Sequence, residues 1–200
     1  MGQKDSSAAN NPVAPKIMVI RHAEKPPGNP PPHGVDEKGN HDNDSLTVEG
    51  WQRAGALVVF FAPSIGAPQN ARVSVPSFIY ASQMKKGVGS ERPQETVLPL
   101  VAKLGPSRVA VNFQFSRGDE KDVAASAMSC GGPVLICWDH ENIPVISRNF
   151  PISKSNKNPV PTEWPGSRFD LVWIFELDGS GDGYCFTQVP QLLLAGDKQV

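Results

Sequence analysis

The run Lys16-Ile17-Met18-Val19-Ile20, leading into Arg21-His22-Ala23-Glu24-Lys25, decides how this chain folds. It has a counterpart further on. Pro133-Val134-Leu135-Ile136-Cys137-Trp138 leads into Asp139-His140-Glu141-Asn142-Ile143-Pro144. Each is a short apolar run bounded by polar residues, the pattern of a buried strand. Each delivers a histidine at its C-terminal end, where open α/β sheets place their ligands.

The segments between these runs alternate in type. Thr47 can cap a helix to about Phe61, with Val48, Trp51, Leu57, Val58 and Phe61 as an apolar stripe at helical spacing and Pro63 beyond its end. Residues 77–81 read as a second strand, followed by a Gly-containing turn and a helix over 91–103 that Gly105-Pro106 stops. A third strand is expected over 108–113 and a helix over 119–129, closed by Gly131-Gly132. The strand at 133–138 comes next, then a helix after His140. Residues 170–177 and 184–189 read as a hairpin. Strand–helix alternation of this kind predicts a three-layer α/β/α fold, doubly wound, around a mostly parallel central sheet. Two Pro-rich loops, 26–45 and 151–168, and a third at 63–77 are long for a compact domain; long loops of this kind are usually functional or mobile. The loop at 26–45 leaves directly from the first histidine motif and is expected to rim the site.

Length and composition agree. A chain of 200 residues fits one domain, here expected at 16–200 behind a disordered polar tail at 1–15. It is long enough to bury about 70 % of its unfolded surface without a disulfide or metal staple. A formal net charge of −1 offers no surface for nucleic acid or membrane, so anion binding must come from local arginine clusters. Cys130, Cys137 and Cys185 are odd in number and match no zinc spacing, which favours a reducing, cytoplasmic setting. No apolar run reaches membrane-span length, and no signal peptide is evident. Met1-Gly2-Gln3-Lys4-Asp5-Ser6 matches the short N-myristoylation pattern, a match that also arises by chance. Oligomeric state is not legible.

Three constellations carry chemistry. A neutral imidazole on His22 can attack phosphorus, while the guanidinium of Arg21 can grip two phosphate oxygens as a fork. Arg92 begins a helix, where free N–H groups and the helix dipole favour an anion, and Pro93 suits the first turn. His140, bracketed by Asp139 and Glu141, can donate to a transferring phosphoryl group. Each piece alone has an ordinary structural reading: a strand end, a helix start, a histidine bonded to a carboxylate.

In this order the pieces resemble the histidine phosphatase superfamily, the phosphoglycerate-mutase-like proteins. Arg21-His22-Ala23-Glu24 is similar to that family's Arg-His signature. Leu46-Thr47-Val48-Glu49-Gly50-Trp51-Gln52-Arg53-Ala54 is similar to its Leu-Thr-x-x-Gly helix start. Tyr80-Ala81-Ser82 with Arg92 to Thr96 resembles its Ser and Arg-x-x-x-Thr segment, and Val134 to Ile143 its second-histidine strand. The resemblance spans residues 16–150. It implies a phosphatase that uses neither metal nor other cofactor. His22 would be the nucleophile, with Arg21, Arg92 and His140 completing the phosphate pocket. The substrate would be a small phosphate ester or a phosphoprotein, including protein phosphohistidine. A mutase-type phosphotransferase and a catalytically silent phospholigand-binding module remain alternatives. Ala23 and Glu141 stand where one branch usually has glycine. Glu141 resembles the acidic proton donor of the phytase branch and is the expected donor here, with Glu120 or Asp119, which would match a donor in a separate loop, as alternatives.

Other features have plainer readings. His33 and His41 share the 26–45 loop with several aspartates at no ligand spacing, which reads as a solvated loop. Asp178 to Gly183 echoes a calcium loop but has Val189 at the twelfth position, so a Gly-rich hairpin turn is expected. Trp51, Trp138 and Trp173 are expected in the core.

Overall fold

The computed structural model describes residues 13–85 and 89–200. The myristoylation pattern, most of the expected N-terminal tail and part of the turn after residue 81 lie outside the described residues. The packed chain starts before Lys16. Ala14 is fully buried, donates to the Met128 carbonyl at 2.9 Å and accepts from the Tyr184 hydroxyl at 3.0 Å.

The elements follow the expected alternation. They are β1 (Lys16–Arg21), α1 (Val48–Phe61), β2 (Phe78–Ala81), α2 (Arg92–Leu104) and β3 (Ala110–Asn112). Then come α3 (Glu120–Met128), β4 (Val134–Trp138), α4 (Ile143–Ser147), β5 (Leu171–Leu177) and β6 (Tyr184–Pro190). The six strands form one sheet in the order β3-β2-β4-β1-β5-β6. β1, β4, β2 and β3 pair in parallel; β5 joins β1 antiparallel and hairpins into β6.

Side-chain alternation divides the core in two. Ile17, Val19, Val134, Ile136, Trp138, Trp173 and Phe175 face α3 and α4. Met18, Ile20, Leu135, Cys137, Val172 and Ile174 face α1 and α2. Both faces of the sheet are covered, so the central strands are apolar throughout rather than alternating. This is the three-layer α/β/α architecture with a mostly parallel sheet.

Three local expectations change. β3 is shorter than the run 108–113 because the N–H groups of Arg108 and Val109 bond back to the Gly105 carbonyl at 3.1 and 3.2 Å, which spends them in a turn. The buried stripe of α1 is Gly50, Arg53, Ala54, Leu57 and Phe61, whereas Val48 is 61 % exposed. Arg53 occupies the inner face because Glu24 and Asp197 each meet its Nη2 at 2.7 Å. Trp138 and Trp173 are fully buried, but Trp51 is half-buried with its Nε1 donating to the Val35 carbonyl at 2.8 Å. No helix among the described residues is long and apolar enough to cross a membrane.

Candidate active site

Strand register builds the site. Arg21 pairs with Trp138 across β1 and β4, and the His22 N–H donates to the Trp138 carbonyl at 3.0 Å. The chain therefore leaves both strands side by side, with His22 next to the segment Asp139-His140-Glu141. The segment after β2 brings Gly89 and Ser90, the start of α2 brings Arg92, and the loop after β3 brings Arg117. Together with Lys25 these side chains line a pocket of about 110 Å³ at the C-terminal end of the parallel strands. Gly89 has a φ of +96°, a conformation that favours glycine on this rim.

The nucleophile candidate is prepared as a neutral base. His22 is 3 % exposed. Its Nδ1 lies 2.8 Å from the Ala23 carbonyl, which can only accept, so the proton sits on Nδ1 and the lone pair on Nε2. Burial, reinforced by the positive charges of Arg21, Arg92 and Lys25, pulls its pKa down to about 3. The imidazole is uncharged at any physiological pH.

Cations surround it. Arg21 lies behind the pocket lining, its guanidinium 3.7 Å from the centroid of the Phe169 ring. Nη1 donates to the Gly166 and Arg168 carbonyls at 2.6 and 3.3 Å. Nε is buried with no hydrogen-bond partner among the described residues. Burial lowers the Arg21 pKa to about 10, still protonated at neutral pH. Arg92 is held by the 26–45 loop: Nε donates to the Ser45 carbonyl at 3.2 Å and Nη2 to the Asn43 carbonyl at 2.6 Å. That loop supports the site through Arg92, and none of its residues lines the pocket. His140 is half-buried, and burial together with Arg21 lowers its pKa. Lys25 is lowered for the same reasons, burial first and then the two arginines.

A second layer holds the first in place. The Thr96 hydroxyl accepts from the Ala23 N–H at 2.8 Å and donates to the Arg92 carbonyl at 2.7 Å, tying the His22 loop to α2. The Glu24 carbonyl accepts from the Thr47 N–H at 3.0 Å, and Thr47 Oγ1 caps α1 at the Gly50 N–H. A Cβ on Gly50 would stand 2.5 Å from the Glu24 carbonyl oxygen, so only glycine lets α1 approach this closely. Glu95 accepts from the Leu46 N–H at 2.8 Å. The motif Leu46 to Ala54 is therefore scaffolding for the histidine loop.

The carboxylates separate cleanly. Glu141 lines the pocket, but its side chain is 65 % exposed and its Oε2 accepts from Arg117 Nη2 at 2.6 Å. Asp139 also lines it, with its side chain 17 % exposed and 3.6 Å from Arg117 Nε. Burial pushes the Asp139 carboxyl up, against the pull of Arg117. Glu120 and Asp119 do not line the pocket. Glu120 is buried, accepting from Asn142 Nδ2 at 2.7 Å and Trp138 Nε1 at 3.4 Å. Asp119 accepts from the Ser116 N–H and hydroxyl, both at 2.9 Å, and these bonds lower its pKa.

No protein-family model matches the chain, and no curated protein matches it. Solved structures similar to it include a protein histidine phosphatase, SixA, complexed with tungstate. The identity is 13 %, the match covers 88 % of this chain and 97 % of that one, and the TM-score is 0.45. Another is a putative phosphohistidine phosphatase SixA from Agrobacterium tumefaciens, at 12 % identity, 86 % and 96 % coverage and a TM-score of 0.42.

Of the residues that sequence reading expected in one pocket, His22, Arg92, His140 and Glu141 line it, whereas Arg21 is buried and is not part of the lining. Sequence reading missed Lys25, Arg117 and a pocket role for Asp139. Lys25 and Asp139 were within reach, because each lies in a strand-end motif already singled out. Arg117 follows a three-residue edge strand and carries no sequence signal. Outside the site, His33 and His41 hydrogen-bond each other at 3.1 Å, and no third ligating side chain among the described residues joins them. The 178–183 segment is a hairpin turn in which Asp178 accepts from the Ser180 and Asp182 N–H groups.

Proposed function

We propose that this chain is a phosphatase that hydrolyses a phosphate monoester, or a protein phosphohistidine, through a phosphohistidine intermediate on His22. One observation carries the reading: an uncharged, buried imidazole presents Nε2 to a pocket in which Lys25, Arg92 and Arg117 outnumber the carboxyl groups of Asp139 and Glu141, with His140 beside them. A net positive wall suits a phosphoryl dianion, and it stabilises charge spread over the equatorial oxygens in the transition state.

The roles follow from position. Nε2 attacks phosphorus as the leaving group departs on the opposite side. Arg92 and His140 donate to the phosphoryl oxygens. Arg21, which lies outside the lining, adds positive charge to the site. Water then cleaves the nitrogen–phosphorus bond and regenerates neutral His22. Dividing the reaction into two displacements replaces one difficult step by two easier ones. The scheme needs no metal ion.

The test is turnover of a generic aryl phosphate by wild type and His22→Asn, with acid-labile phosphate on the protein measured in the same samples. The wild type is expected to turn over and carry the label. The variant should lose both, activity falling by at least about 10³-fold. Unimpaired hydrolysis by His22→Asn refutes the nucleophile. Label that passes to a sugar acid instead of water would mark a mutase. Tight binding of the ester with neither label nor turnover would mark a silent binding module.

A further inference from the structure

We infer that Asp139, the residue before the second histidine, is the proton donor to the leaving group in this site. The inference rests on the phosphatase reading above and names a residue that the family resemblance does not.

The pocket holds two carboxylates, and their surroundings differ. Glu141 is mostly in solvent, and its Oε2 accepts a charge-assisted hydrogen bond from Arg117 Nη2 at 2.6 Å. Asp139 is enclosed, with a looser 3.6 Å approach to the same arginine. Enclosure favours the protonated carboxyl. Of the charged groups acting on it, Arg117, on the loop before α3, together with Arg21, Arg92 and Lys25, favours the carboxylate, whereas Glu141 beside it and Glu120 at the start of α3 favour the acid; burial outweighs the cations, and the carboxyl is pushed up. One carboxyl is enclosed and loosely paired, the other solvated and tightly paired, and unlike surroundings of this kind are the usual setting for divided acid–base roles.

Placement also fits. Register sets Asp139 level with His22 on the neighbouring strand, so both reach the same pocket from adjacent strand ends. The alternative donors raised by the sequence are committed elsewhere: Asp119 to Ser116, Glu120 to Asn142 and Trp138.

The step balances as follows. The Nε2 lone pair of His22 forms the nitrogen–phosphorus bond while the phosphorus–oxygen bond to the leaving group breaks. Its electron pair leaves with that oxygen, which takes the proton from the Asp139 carboxyl. The resulting Asp139 carboxylate then removes a proton from water as the water oxygen bonds to phosphorus. The nitrogen–phosphorus electron pair returns to Nε2. The sum is ester plus water giving alcohol plus inorganic phosphate. A built-in acid matters most when the departing oxygen is strongly basic, so the site is suited to esters of aliphatic alcohols.

Leaving-group dependence separates a proton donor from a structural aspartate. Wild type, Asp139→Asn and Glu141→Gln are assayed on an alkyl phosphate and on nitrophenyl phosphate, whose leaving group needs no proton, with labelling of His22 and melting temperature followed in parallel. In the rate at which His22 is labelled, the step that precedes attack by water, Asp139→Asn is expected to lose about 10²–10⁴-fold with the alkyl ester and less than about tenfold with the aryl ester. It should still label at His22, and Glu141→Gln should show no such selectivity. Equal losses on both esters, or selectivity that follows Glu141→Gln instead, overturn the assignment while leaving the phosphatase reading intact. A wild type that neither labels nor turns over removes the phosphatase reading and this assignment with it.

Discussion

At the scale of single residues, the site depends on one ring being kept neutral and one fork being held open. The Ala23 carbonyl fixes the tautomer of His22, and burial among cations fixes its charge. Arg92 is positioned differently: two backbone carbonyls of the 26–45 loop hold Nε and Nη2, while its guanidinium still borders the pocket. Replacing it by alanine is expected to lower kcat/KM by about 10²–10³-fold. Arg92→Lys should recover little of that, because a point charge cannot reproduce the fork. Steady-state kinetics on an aryl phosphate check both. Loss of less than about threefold in Arg92→Ala would remove this residue from the phosphate pocket. Both histidines, Arg92 and Glu141 were legible in the sequence because each sits at a strand end or helix start. The burial of Arg21 beneath Phe169 was not, since it depends on a loop nearly 150 positions away whose contacts no local pattern encodes.

At the scale of elements, the histidine loop is held by helices α1 and α2, and the holding residues are hydroxyls, a glycine and backbone groups. Thr96 is the tie between the loop and α2. It is fully buried, and its hydroxyl is the partner of the Ala23 N–H. Thr96→Val keeps the shape and strands that N–H, which should cost about 1–3 kcal/mol of stability. Because Ala23 carries the carbonyl that orients His22, turnover should fall as well. Urea denaturation and kinetics on the same variant measure the two effects; a variant of unchanged stability and activity contradicts the tie. Element types were readable because apolar runs and helical stripes switch cleanly along this chain. Two details were not. β3 loses its first residues to a turn bonded to Gly105, and the inner face of α1 carries a buried arginine where periodicity expects an aliphatic residue. In both cases a distant or competing hydrogen-bond partner decided the outcome.

At the scale of the whole molecule, placing neutral His22 inside the fold links stability to pH. Its pKa is about 3 when folded against an ordinary 6.5. Below pH 6.5 the unfolded chain therefore takes up a proton that the folded chain refuses. The corresponding stability is present above 6.5 and is lost as pH falls towards 3, by about 1.4 kcal/mol per pH unit. Chemical denaturation of wild type and His22→Gln between pH 6.5 and 4 should show a shallower decline in the variant. Parallel slopes would contradict a buried neutral imidazole. The layered architecture was legible because two strands lack polar residues on either face, which only a sheet covered on both sides permits. Under the proposed function, the strand ends gather His22, Arg21, Arg92 and His140 around one tetrahedral oxyanion. A crystal structure with bound orthovanadate tests this most directly. Vanadium bonded to Nε2 of His22, with its oxygens on Arg92 and His140, is the predicted result. Vanadate seated elsewhere, with Nε2 unengaged, would contradict it.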